Sequence, residues 1–69
     1  MKERYKGYVI DPQVLQRSDQ SGWYVSRIKI FREDTLQQTA EFPLPGTFAS
    51  KEEGERTAIE AAKKRINNE

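Results

Sequence analysis

The chain contains no cysteine and no histidine. Without cysteine there is no disulfide framework and no thiolate metal site. Without histidine the commonest general base and the commonest transition-metal ligand are both missing, and no Ser-His-Asp or Cys-His arrangement can be assembled. The four glycines stand far apart, at 7, 22, 46 and 54, so there is no glycine-rich phosphate loop. No run approaches the roughly 20 apolar residues of a membrane span. The charged start, Met1 to Lys6, precedes no apolar signal region, and the expected location is cytoplasmic.

Carboxylates remain as possible catalytic groups. The close pairs are Glu33-Asp34, in an expected turn, and Glu52-Glu53, at an expected helix start. Acidic residues commonly shape turns and complement the positive end of a helix. These structural uses outweigh a catalytic one, so the expectation is a non-enzyme with no catalytic residues, no metal and no cofactor.

What is present describes a small folded domain. Sixty-nine residues suffice for one domain, taken as 1–69, with a limited core. Self-association is one remedy for so small a core. With 33% charged and 35% hydrophobic residues and a net charge of +1, the chain has the balance of a folded domain with a wet surface.

The alternation of side chains predicts three strands. Arg4 to Ile10 is the first, with aromatic or β-branched groups on both faces and Gly7 marking a bulge or close approach. Asp11-Pro12 is expected to end it. Val14 and Leu15 then lie either in a single helical turn or in an extended stretch under the sheet edge, the second being preferred. Arg17 to Gly22 is a polar loop. Trp23 to Arg32 is the clearest strand. Tyr24, Ser26, Ile28 and Ile30 share one face; Trp23, Val25, Arg27, Lys29 and Phe31 share the other. Ile28 and Ile30 must face the core. Over the first half of the strand either face would serve, and a bulge near Ser26 would switch parity. After a tight polar turn, Leu36 to Phe42 returns as the third strand, with Leu36, Gln38, Ala40 and Phe42 on one face, and Pro43-Leu44-Pro45-Gly46 is expected to stop it.

Ser50-Lys-Glu-Glu53 is a capping box opening a helix over about 51–67. Acidic residues crowd its start and basic residues its end. Gly54, Ala58, Ala62, Ile66 and Ile59 form one stripe, mostly of small groups, with Ala61 at its margin. The predicted fold class is α+β: a three-stranded antiparallel meander with one C-terminal helix packed on one face.

The run Ser50 to Ile66 resembles the last helix of double-stranded-RNA-binding domains, over about a quarter of the chain. Glu52, Glu53 and Glu55 stand where that family carries phosphate-gripping lysines, and the family's first helix is missing. More broadly, Tyr5-Lys-Gly-Tyr-Val-Ile10, Gly22-Trp-Tyr-Val25 and Phe48-Ala-Ser-Lys-Glu-Glu53 are similar in layout to small bacterial proteins of the HlyU-like kind and their β-β-β-α relatives. That resemblance implies the fold. Regulation of transcription is attributed to some of those proteins, and the resemblance assigns no residue here a role.

Charge is uneven along the chain. Residues 1–32 carry seven basic and three acidic groups, and residues 33–69 carry five basic and eight acidic ones. One helix covers one sheet face, so the other face is expected to carry Trp23, Val25, Arg27, Lys29 and Phe31 and one of Tyr5 and Tyr8. This is the candidate interaction face. Its first expected use is contact with a protein, either another protein or a second copy. The alternative is nucleic-acid binding, with aromatics stacking on bases and cations meeting phosphates. A sequence pI near 8.0 falls short of the strongly basic signature of that class. No membrane partner is expected.

Overall fold

The computed structural model describes residues 2–19 and 21–68. Gln20, inside the predicted polar loop, lies outside the described residues, as do Met1 and Glu69. The architecture is α+β: an antiparallel meander of four strands with one C-terminal helix against it. The strands are β1 (Glu3–Tyr5), β2 (Tyr8–Gln16), β3 (Trp23–Arg32) and β4 (Gln38–Phe48), in sheet order β1-β2-β3-β4, and the helix is α1 (Lys51–Asn67).

The extra strand arises because the predicted first strand folds back on itself. Lys6 and Gly7 have φ of 49° and 82° and form a two-residue hairpin turn, with Tyr5 opposite Tyr8. Positive φ at both central residues is what such a turn needs to match the strand twist. Gly7 is thus a turn residue rather than a bulge. The hairpin also puts Tyr5 and Tyr8 on the same side, both packed on the core. Neither is left for the open face, contrary to the expectation.

Two proline-containing runs, predicted to break strands, are strand. Pro12 is buried within β2, opposite Ile28. It lies two residues past Ile10, the last β2 residue paired with β1, so its missing N–H faces a side where the ladder has ended. Val14 is therefore a strand residue in the core, while Leu15 points away and is 49% exposed. Pro43 and Pro45 sit in β4, the outer strand of the sheet, where one side of the backbone needs no ladder partner. At the start of this strand the expectation also fails. Leu36 belongs to the hairpin loop, with φ of 57° and 71% exposure, and its N–H bonds the Arg32 carbonyl at 2.8 Å.

The helix matches its prediction. Ser50 Oγ accepts the Glu53 N–H at 3.1 Å, and the Glu53 carboxylate accepts the Ala49 N–H at 3.3 Å, one residue earlier than in the usual box. Gly54, Ala58, Ile59, Ala62 and Ile66 are buried. A methyl group on Gly54 would lie 3.1 Å from Val14 Cγ1, so the small residue sets how closely the helix start approaches the sheet. The core joins that stripe to Ile10, Val14, Val25, Ile28 and Ile30, ringed by Tyr5, Tyr8, Trp23, Phe42, Leu44 and Phe48. The large groups come from the sheet and the small ones from the helix.

At the other end of α1 the chain is clasped. Tyr5 donates its hydroxyl to Asn67 Oδ1 at 3.1 Å, and Lys6 Nζ donates to the same atom at 2.6 Å. The ammonium groups of Lys6 and Lys63 stand 5.4 and 5.2 Å from the Tyr5 ring centre. Lys63 also bonds Glu3 at 2.8 Å, and this contact raises its pKa above the ordinary lysine range.

Candidate functional site: the open sheet face

One residue decides which side chains reach the open face. Gln13 pairs with Arg27, but Val14 pairs with Val25, so Ser26 is an extra residue in β3. This is a β-bulge, and it switches parity within the strand. Ser26 Oγ donates to the Gln13 carbonyl at 3.2 Å, which ties the bulge to its neighbour. Beyond the bulge Ile28 and Ile30 face the helix; before it Val25 and Trp23 do.

The predicted interaction face is therefore split. Val25 is 3% exposed and belongs to the core, and Trp23 packs against the core opposite Phe48. Arg27, Lys29 and Phe31 lie on the open face as expected. Tyr24 takes the place expected of Trp23. Residues from the neighbouring strands complete the surface, and the strand register sorts them into four rows. Val9 stands opposite Phe31, Asp11 opposite Lys29, Gln13 opposite Arg27, and Leu15 opposite Tyr24. Arg4 lies beside Val9 on β1, and Glu41 beside Lys29 on β4. Tyr24, Leu15, Val9, Asp11 and Glu41 were not in the predicted set. The signal for Tyr24 was the bulge; the others required the register.

Electrostatically the face is mixed. Lys29 sits in register between Asp11 and Glu41. Arg27 Nη1 lies 3.4 Å from Glu41 Oε2, both partly exposed. Two cations and two carboxylates thus alternate across the centre. Apolar pairs close the two ends, Val9 with Phe31 and Leu15 with Tyr24. Phe31, Tyr24 and Val9 are half-buried, and none belongs to the cluster under the helix.

The turns beside the face are organised by carboxylates. Glu33 lies 3.9 Å from Arg4, and Asp34 lies 3.6 Å from Arg32. In the β2–β3 loop, Ser21 donates both its hydroxyl, at 2.7 Å, and its N–H, at 3.0 Å, to Asp19. These bonds, helped by Arg17, hold the Asp19 carboxyl below the ordinary range. The Tyr24 end opens into a shallow cleft bordered by Arg17, Leu44, Pro45 and Gly46. Both carboxylate pairs weighed in the sequence thus have structural work: Glu33 and Asp34 in the hairpin loop, Glu53 at the helix cap. Among the described residues no three Asp or Glu side chains converge as a metal ion would require, and no helix is long and apolar enough to cross a membrane.

The chain matches no family model, no curated protein and no solved structure.

Proposed function

We propose that this chain is a non-catalytic protein-contact module whose working surface is the open sheet face. The observation that carries the reading is the charge arrangement of that face. Lys29 and Arg27 are each matched by a cross-strand carboxylate, while two half-exposed apolar pairs remain at the ends. A phosphate backbone is attracted by uncompensated cations, and its binding releases counterions in proportion to them. Asp11 and Glu41 stand where phosphates would approach Lys29 and would repel them. Nor does the strongest stacking group serve that use, since Trp23 packs against the core. A protein surface meets such a face on better terms, because mixed charges give register and orientation while aromatic and aliphatic groups supply apolar burial. The lack of histidine and cysteine supports the non-catalytic part of the reading.

A photo-crosslinking residue in place of Phe31 tests this proposal, in the cells that make the protein. The expected product is a covalent adduct with protein. Adducts with nucleic acid, together with submicromolar binding of single-stranded RNA or DNA at about 150 mM salt that vanishes in Arg27→Gln/Lys29→Gln, would establish the nucleic-acid alternative instead. Absence of any adduct would remove the contact reading.

A further inference from the structure

The pattern of the open face is complementary to itself under one particular two-fold axis, and from this we infer that its partner is a second copy of this chain. The inference rests on the protein-contact reading above and names its occupant.

Two sheets facing each other pack with their strands nearly aligned. A symmetric pair places a two-fold axis in the plane between them. Suppose that axis runs along the strands, midway between β2 and β3. It then lays β2 over β3 of the second copy, row on row. Each side chain meets the copy of its own cross-strand neighbour. Asp11 faces Lys29 of the second copy, and Lys29 faces its Asp11. Gln13 faces Arg27, an amide carbonyl against a guanidinium. Val9 faces Phe31, and Leu15 faces Tyr24. The same rotation lays β4 over β1, where Arg4, in the Phe31 row, faces Gln38 of the second copy. Each of the four β2–β3 rows is matched, apolar on apolar in the outer two, and charge on opposite charge or on an amide in the inner two.

Two other symmetric placements fail on the same residues. An axis along β3 sets Lys29 on Lys29 and Arg27 on Arg27. An axis across the strands, between the two charged rows, sets Lys29 on Arg27. Like charges so placed disfavour those arrangements.

The size of the face sets the strength. Four strands about 4.8 Å apart, and six steps of about 3.3 Å from Val9 to Leu15, outline roughly 400 Å² in plan per copy. With side-chain relief the pair buries on the order of 1,000 Å², the lower limit for a specific interface. The expected association is weak, with Kd of about 10 μM to 1 mM. Its product is an eight-stranded sandwich with a helix on each outer side.

Charge exchange tests the geometry. In sedimentation equilibrium on the full chain, from about 10 μM to about 1 mM, the wild type should rise from 8.0 kDa towards twice that mass. Asp11→Lys alone and Lys29→Glu alone should each stay monomeric, with folding checked by circular dichroism. An equimolar mixture of the two should recover the association as a heterodimer, because each chain then offers what the other needs. The double variant Asp11→Lys/Lys29→Glu should also recover it. This variant keeps an opposite-charge pair within each chain and so guards against a folding defect in the single variants. A wild type that stays monomeric throughout overturns the inference. So does a dimer indifferent to both single reversals, since it must use another surface. If the Phe31 crosslink then joins a different protein, the contact reading stands and only the second copy is lost; if it joins nothing, both are lost.

Discussion

Inserting one residue between Gln13 and Val14 is the perturbation that most directly probes how the open face is made. The added residue gives Ser26 a partner on β2, so the bulge is lost and β3 regains strict alternation from Trp23 to Arg32. If Ile28 and Ile30 keep their places, Val25 and Trp23 are turned outward and Tyr24 is turned under the helix, while Val14 and Leu15 exchange faces on β2. Val25 is 3% exposed and Trp23 packs against the core. Losing a buried side chain of this class costs about 1.5–3 kcal/mol, so the two together cost about 3–6 kcal/mol. Tyr24 returns part of this, at the expense of burying its hydroxyl, and the net loss is about 2–4 kcal/mol. A domain of this length holds only about 3–10 kcal/mol in total. At about 4–8 °C per kcal/mol, the melting temperature should fall by at least about 8 °C, and the fluorescence of Trp23, the sole tryptophan, should shift to the red as the ring meets water. Ser26→Ala is the control. It keeps the bulge and loses only the hydroxyl's bond to the Gln13 carbonyl, which costs about 0.5–1.5 kcal/mol. An insertion variant that melts no lower than Ser26→Ala, with unshifted emission, would refute the role given to the bulge.

Two further outcomes follow from the structure. In Gly22→Ala the added methyl would stand 2.8 Å from Thr47 Cγ2 and 2.9 Å from the Phe48 carbonyl oxygen; the strand end must open, and chemical denaturation should show a loss of about 1–3 kcal/mol. Glu3 raises the Lys63 pKa by a direct bond, so the stabilisation from this contact is present below the ordinary lysine pKa of 10.5 and is lost as pH climbs through the raised value; Glu3→Gln should lower the Lys63 pKa measured by NMR and remove that alkaline step.

The helix was legible because its determinants are local. Ser50, Glu53 and the stripe from Gly54 to Ile66 lie within one continuous segment and obey one period. The strands were legible as elements, but their ends and faces were less so. Proline at 12, 43 and 45 reads as a stop when the sheet is out of view. Its cost depends on whether its side of the strand has a neighbour, and only the sheet order tells that. Lys6-Gly7 was misread for a different reason: aromatic groups on both sides of the turn looked like the two faces of one strand, when they are the same face of two. For the site, the change from the odd pair Trp23 and Val25 to the even pair Ile28 and Ile30 pointed to a parity switch near Ser26. Which half pointed inward was then decided by the helix, since its small-residue stripe draws Val25 and Trp23 beneath it. Asp11 and Glu41 became part of the face only once the register placed them beside Lys29.

The clasp between Tyr5 and Asn67 joins positions 62 residues apart, and this separation bears on the order of events in folding. Contacts between sequence neighbours close small loops and form early, whereas one that spans nearly the whole chain must wait for the elements between. The β2–β3–β4 meander can be in place before the β1 hairpin is fastened to the end of α1. The clasp is then expected to form in the last stage of assembly, after the transition state. Its residues should govern how fast the native molecule opens rather than how fast it forms. Loosening Tyr5, Lys6, Lys63 or Asn67 should steepen proteolysis and hydrogen exchange at the β1 edge while leaving the refolding rate unchanged.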